Sequence, residues 1–179
     1  MKVFHEYIDK LIKTQEFVDV YTDEYDESHY GYIVKVSDEL LILESFTGKD
    51  GQNEGIMVFR LKDISRINWE GNEIQEVKKL VKQDSRDSSI SNIDITTINT
   101  ALESINKKYG YVEINIQDLD GDVCFIGEIE SLDADILVLN EYGSRQSLDR
   151  TKILLKIKDI TRVDAGRAYS ETIKSIYVK

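Results

Sequence analysis

Apolar positions follow two rhythms along this chain, and each rhythm occurs twice. Phe4, Ile8, Leu11 and Ile12 fall on one face of a helix over 3–14. Ile98, Leu102 and Ile105 repeat that spacing in a helix over 95–108, with Asn92 or Asp94 placed to cap its start. After each helix the period shortens towards two. Strand-like runs lie at 16–22, 29–37, 40–46, 55–62 and 64–69, and again at 111–117, 123–131, 135–142, 152–158 and 160–164. Alternation is plainest in Val112-Glu113-Ile114-Asn115-Ile116, the mark of a half-buried strand. Asp120-Gly121 then signals a hairpin turn. A short amphipathic helix closes each set, carrying Ile74, Val77, Leu80 and Val81 in the first and Ile173, Ile176 and Tyr177 in the second.

The two sets are copies of one unit. Leu61-Lys62-Asp63-Ile64-Ser65-Arg66-Ile67 returns 96 residues later as Ile157-Lys158-Asp159-Ile160-Thr161-Arg162-Val163. Gly31, Ile33, Leu41, Ile42 and Leu43 return at the same offset as Gly127, Ile129, Leu137, Val138 and Leu139. Phe17-Val18-Asp19-Val20 returns as Tyr111-Val112-Glu113-Ile114 at an offset of 94, so the difference falls in a polar turn, where insertions are cheap. Offsets of 94 and 96, each held over several positions and differing only in one turn, point to tandem duplication. The expected organisation is a first unit over 1–83, a polar linker over 84–91 and a second unit over 92–179.

Five short strands in so few residues cannot build a two-layer sandwich with a good core. A bent sheet that closes on itself can, because closure removes exposed edges. Gly31 and Gly127 interrupt the second strand of each set, where a sharp bend is needed. The expected fold is mostly β with flanking helices: two tandem Sm-like or SH3-like five-stranded bent barrels, each with an N-terminal and a C-terminal helix.

This order of elements, with its strand-two glycine, resembles the Sm-like (Hfq-type) family of small β-barrels. The stretch Val112 to Ile116, then Gly121, then Gly127-Glu128-Ile129-Glu130-Ser131-Leu132-Asp133, then Ile136-Leu137-Val138-Leu139, is similar to the family's first motif. Lys158-Asp159-Ile160-Thr161-Arg162-Val163 stands where the second motif belongs, and Asp133 matches the family aspartate. The resemblance implies ring assembly through edge strands and RNA binding at a ring pore. Leu41 and Leu137 stand where many members hold a base with asparagine, and Lys156-Ile157-Lys158 stands where the bacterial members carry their own basic motif.

Charge and composition narrow the function. The chain has 179 residues with a formal net charge of −11, which disfavours a general phosphate-binding role and favours basic protein partners. One cysteine, Cys124, excludes an intrachain disulfide and reads as a small apolar strand residue. The charged N-terminus is unlike a signal peptide, and no run reaches the length of a membrane span, so a cytoplasmic protein with no membrane partner is expected. With no proline in the chain, glycine, Asp and Asn must supply the turns.

Few residues suggest chemistry. His5 and His29 stand apart, and the chain shows no nucleophile elbow, phosphate loop or metal-ligand spacing, so no enzyme, metal or cofactor is expected. Asp118, Asp120 and Asp122 look calcium-like, but Val123 and Ile129 occupy the positions needing glycine and glutamate, leaving an acidic hairpin turn. The equivalent turn of the first unit holds Asp23, Glu24, Tyr25, Asp26 and Glu27. These two acidic turns are the candidate contacts for a basic partner, with Tyr25 as an aromatic contact. Lys78, Lys79, Lys82 and Arg86 form the one basic concentration, on the outer side of the closing helix. With Asp133, Lys156 and Lys158 they are the candidate RNA contacts. Trp69 reads as a plug between barrel and closing helix. The favoured expectation is a non-enzymatic adaptor, inhibitor or immunity-type module meeting a basic protein through acidic turns. The alternative is an RNA-binding Sm-like protein acting through a ring or the lysine stripe, and edge strands also allow self-association.

Overall fold

The structure, a computed structural model, describes residues 2–22, 27–116, 118–143 and 149–177, with the side chains of 120–122 outside that description. The first unit runs α1 (Lys2–Thr14), β1 (Phe17–Tyr21), β2 (His29–Val36), β3 (Leu40–Phe46), β4 (Asn53–Arg60), β5 (Arg66–Trp69) and α2 (Asn72–Leu80). The second runs α3 (Ile98–Tyr109), β6 (Val112–Ile116), β7 (Asp120–Leu132), β8 (Ile136–Glu141), β9 (Thr151–Lys156), β10 (Arg162–Ala165) and α4 (Ala168–Tyr177). Single 3-10 turns, Leu61–Asp63 and Ile157–Asp159, link the last two strands of each unit. The start of α3 falls later than the sequence suggests. Thr97 caps it through a reciprocal pair with Thr100, while Ile95 is drawn into the core ahead of the helix.

All ten strands form one antiparallel sheet, ordered β5-β1-β2-β3-β4-β10-β6-β7-β8-β9. Each half thus has the order fifth, first, second, third, fourth. The registers also repeat: Val18 faces Gly31 and Val112 faces Gly127, and a bulge falls between Ile33 and Lys35 and again between Ile129 and Ser131. Gly31 is required by close approach, since a Cβ there would stand 2.1 Å from the Glu44 carbonyl oxygen. The second-unit copy, Gly127, meets the Asn140 carbonyl at 2.5 Å.

The sheet is open, contrary to the expected closure. Among the described residues neither unit's fourth strand pairs with its own fifth. The physical reason is that the β4 edge is satisfied by the other unit: Arg162, Val163, Asp164 and Ala165 of β10 face Phe59, Val58, Met57 and Ile56. The two units are therefore joined by a strand pairing and not only by a linker.

The core follows this joint. Leu41, Leu43, Met57 and Phe59 pack with Ile8, Leu11, Val18 and Val20 inside the first unit. Their neighbours Leu40, Ile42, Ile56 and Val58 point the other way, into the core of the second unit. All seven β3 residues are consequently buried, and the unbroken apolar run 40–43 reflects burial on both faces. A third cluster places Ile74, Val77 and Val81 over Phe17, Tyr30, Tyr32 and Phe46. The expected linker over 84–91 is held against this body: Ile90 is buried, and Glu44 accepts from Arg86 at 2.9 Å and from the Asp87 N–H at 2.7 Å.

Candidate interaction surfaces

The seam between the units carries the densest buried charge. Asn115 and Asp164 follow from strand periodicity, yet both are buried at the seam, where the Asn115 amide donates to Asp164 Oδ2 at 3.2 Å and a further partner inside protein is still needed. Arg162 supplies it. Its guanidinium donates to Asp164 Oδ2 at 3.1 Å, to Glu27 Oε2 at 3.3 Å and to Asn115 Oδ1 at 3.4 Å. It also lies 3.0 Å from His29 Nε2. A guanidinium cannot accept, so this ring nitrogen must, and His29 is held neutral. Burial, then Arg162 and Arg167, push the His29 pKa down to about 3. Glu27, 3.5 Å from the same nitrogen, favours the charged ring but is half exposed and loses to burial. Burial drives the Asp164 carboxyl up to about 7 against the pull of Arg162.

Beside the seam, Glu113 of β6 is buried and accepts from Arg167 at 3.0 Å and from the Ser170 hydroxyl, which ties it to the start of α4. These groups border a cavity of about 420 Å³ that also includes Cys124, exposed on β7. His29 is weighed for chemistry in the sequence and set aside, and none of Arg162, Asp164 or Glu113 stands out there as a site residue. The available signal was an acid at the centre of strand one in both copies, Asp19 and Glu113, where burial on both faces demands a partner.

The ends of the sheet repeat the seam in unfilled form. Among the described residues the outer edges of β5 and β9 pair with no strand. Leu154, the copy of buried Val58, is 67% exposed. Ile136 and Val138, the copies of buried Leu40 and Ile42, are only half-buried. At the other end Trp69 and Tyr7 are exposed, with their rings 6.1 Å apart. Tyr7 stands on α1 where α3 has fully buried Ala101. Trp69 thus packs towards the leading helix, not under the closing one.

The sequence-proposed residues are dispersed. Asp23, Glu24, Tyr25 and Asp26 lie outside the described residues, as do the side chains of Asp120 and Asp122. Glu27 belongs to the seam, and Asp118 is exposed in the turn before β7. The lysine stripe does not share one helix face, because α2 stops at Leu80 and Val81 turns out of the helix to bury its side chain beside Phe17. Lys78 pairs with Glu16 at 3.4 Å, and Arg86 pairs with Glu44 and stacks over Tyr32 at 4.0 Å. Lys79, Lys82, Lys156 and Lys158 are exposed. Asp133 accepts from the N–H groups of Asp135 and Ile136 at 2.8 Å, shaping the β7–β8 turn.

Among the described residues no group of three or more His, Cys, Asp and Glu side chains could hold a metal ion, and no helix is long and apolar enough to cross a membrane. Comparison with family models, curated proteins and solved structures finds no match to this chain.

Proposed function

We propose that the protein is a non-enzymatic interaction module, built of two bent Sm-like β units, that adds further copies of itself through its free sheet edges and presents an acidic surface to a basic partner. The repeated strand order, the matched bulges and the matched glycines where neighbouring strands approach closely support the Sm-like reading of each unit. One observation carries the assembly reading: the internal β4–β10 seam has complementary, unpaired copies of its two sides at opposite ends of the sheet. Carried over by the repeat, Arg66, Ile67, Asn68 and Trp69 of one chain face Leu155, Leu154, Ile153 and Lys152 of the next. Such a contact is head-to-tail, so it closes into a ring or continues as a filament. Exposed flat edges of this kind are otherwise a liability that proteins avoid. The net charge of −11 supports a basic partner over nucleic acid.

Light scattering during gel filtration tests the assembly. The mass is expected to exceed the 20.6 kDa of one chain as concentration rises, and Leu154→Lys to return it to one chain without unfolding. A wild-type protein that stays at one chain at every concentration sinks the assembly reading. Tight binding of an A- or U-rich RNA that weakens steeply with salt would replace the basic-partner reading with RNA binding.

A further inference from the structure

The two copies differ at one polar site, and the difference leaves a cleft in the first. In the second unit the carboxylate at the centre of the first strand, Glu113, is neutralised by Arg167 at 3.0 Å. The first-unit copy of Glu113 is Asp19, and the copy of Arg167 is Gly71, so the cation is missing. The strand registers confirm the equivalence: Glu113 faces Asp164, and Asp19 faces Asn68. Asp19 is only 3% exposed, and its Oδ1 is buried without a hydrogen-bond partner, while Oδ2 accepts from Ser28 at 3.2 Å. Where Arg167 would have lain there is a cleft of about 650 Å³. Asp19, Glu70 and Glu73 give it three carboxylates, Tyr21 gives it an aromatic wall, and no basic side chain is among the described residues that line it. Arg66, the nearest guanidinium on β5, is stacked on the Tyr21 ring at 3.8 Å. The start of α2 also borders the cleft and adds roughly half a positive charge, which the carboxylates outweigh.

We infer that this cleft is a socket for a guanidinium group, carried by an arginine side chain of a protein partner, that takes the place Arg167 fills in the second unit. A carboxylate that accepts two parallel N–H bonds, beside an aromatic face, is the setting in which arginine is preferred to lysine. The inference gives the acidic surface of the interaction module a defined ligand chemistry and rests on that reading only for the source of the arginine.

The site itself can be probed with a small molecule, so its failure and the failure of edge pairing are separable. N-acetyl-arginine-N-methylamide is titrated into the ¹⁵N-labelled full chain, with the neutral citrulline analogue as control. Saturable shifts are expected around Asn68–Ile74, with citrulline at least about tenfold weaker. Asp19→Asn is expected to weaken arginine binding by a similar factor. Gly71→Arg is the decisive variant, because it restores in cis the residue the second unit has. A Cβ at Gly71 meets nothing closer than the Ile74 side chain at 3.7 Å, so the fold accepts it. This variant is expected to lose arginine binding. Equal binding of citrulline, shifts elsewhere only, or undiminished binding by folded Gly71→Arg would each overturn the proposal. If Asp19→Asn does not fold, Gly71→Arg alone decides.

Discussion

His29 makes the seam sensitive to acid in a way that can be isolated. Its ring is buried against Arg162 and held neutral, with a pKa of about 3 against the ordinary 6.5. A depressed pKa contributes stability that is present above 6.5 and lost as pH falls towards 3, because only the unfolded chain takes up the proton. Each tenfold in proton affinity corresponds to about 1.4 kcal/mol. Going from pH 8 to pH 5 should therefore cost roughly 2 kcal/mol through His29, and about 5 kcal/mol near pH 3. Asp164 works in the opposite sense. Its pKa is raised from 3.8 to about 7, so its contribution is fully present below 3.8 and is lost as pH rises to 7. The two offset one another across pH 4–7, so wild-type stability alone would look nearly flat there. The measurement is urea denaturation of wild type and His29→Gln at pH 8, 6.5 and 5. The stability difference between them should move by roughly 2 kcal/mol in favour of the variant as pH falls. A difference that stays constant within about 0.5 kcal/mol would show that His29 titrates normally and that the Arg162 contact is not formed.

Equivalent residues with unequal surroundings give further tests. Arg162→Leu takes from buried Asp164 its nearest counter-charge, leaving only the Asn115 amide at 3.2 Å and Arg167 at 3.9 Å, and should cost about 3 kcal/mol in urea denaturation. Arg66→Leu at the open edge should cost less than about 1 kcal/mol, and equal costs would contradict the different burial of the two. Gly31→Ala should lose about 3 kcal/mol, since its Cβ meets a backbone oxygen at 2.1 Å, whereas Gly71→Ala, which has open space but exchanges a favoured N-cap residue of α2, should lose no more than about 1 kcal/mol. Similar losses at both glycines would mean that β2 and β3 do not approach as closely as described.

The duplication and nearly every element could be read from the chain, because period and offset are local properties. Val112 to Ile116 and the run 40–46 fall within a residue of the observed strands. What an element packs against was less legible. Leu40 to Leu43 and Ile136 to Leu139 look alike in sequence, yet the first is covered on both faces and the second on one. That difference is made by the neighbouring unit, not by the residues themselves. The same holds for closure: small strands need their edges satisfied, but a partner unit satisfies β4 as well as the unit's own fifth strand would. Arg162 and Arg66 occupy equivalent positions of the repeated motif, and only the seam buries one of them. The polar turns proposed as contacts lie mostly outside the described residues, whereas the cleft at Asp19 emerged from comparing the copies in space.

The repeatable seam is tested most directly by cysteine pairing across matched registers, in a Cys124→Ser background. Directly opposed antiparallel positions have Cα atoms about 4.5–5.5 Å apart, within disulfide range. Val58→Cys with Val163→Cys in one chain should form an internal disulfide, reporting the seam. Ile67→Cys in one preparation and Leu154→Cys in another should cross-link to each other on mixing and oxidation, much faster than either with itself. An internal pair that stays reduced, or mixed chains that link no faster than the separate ones, would contradict a single joint used both within and between chains.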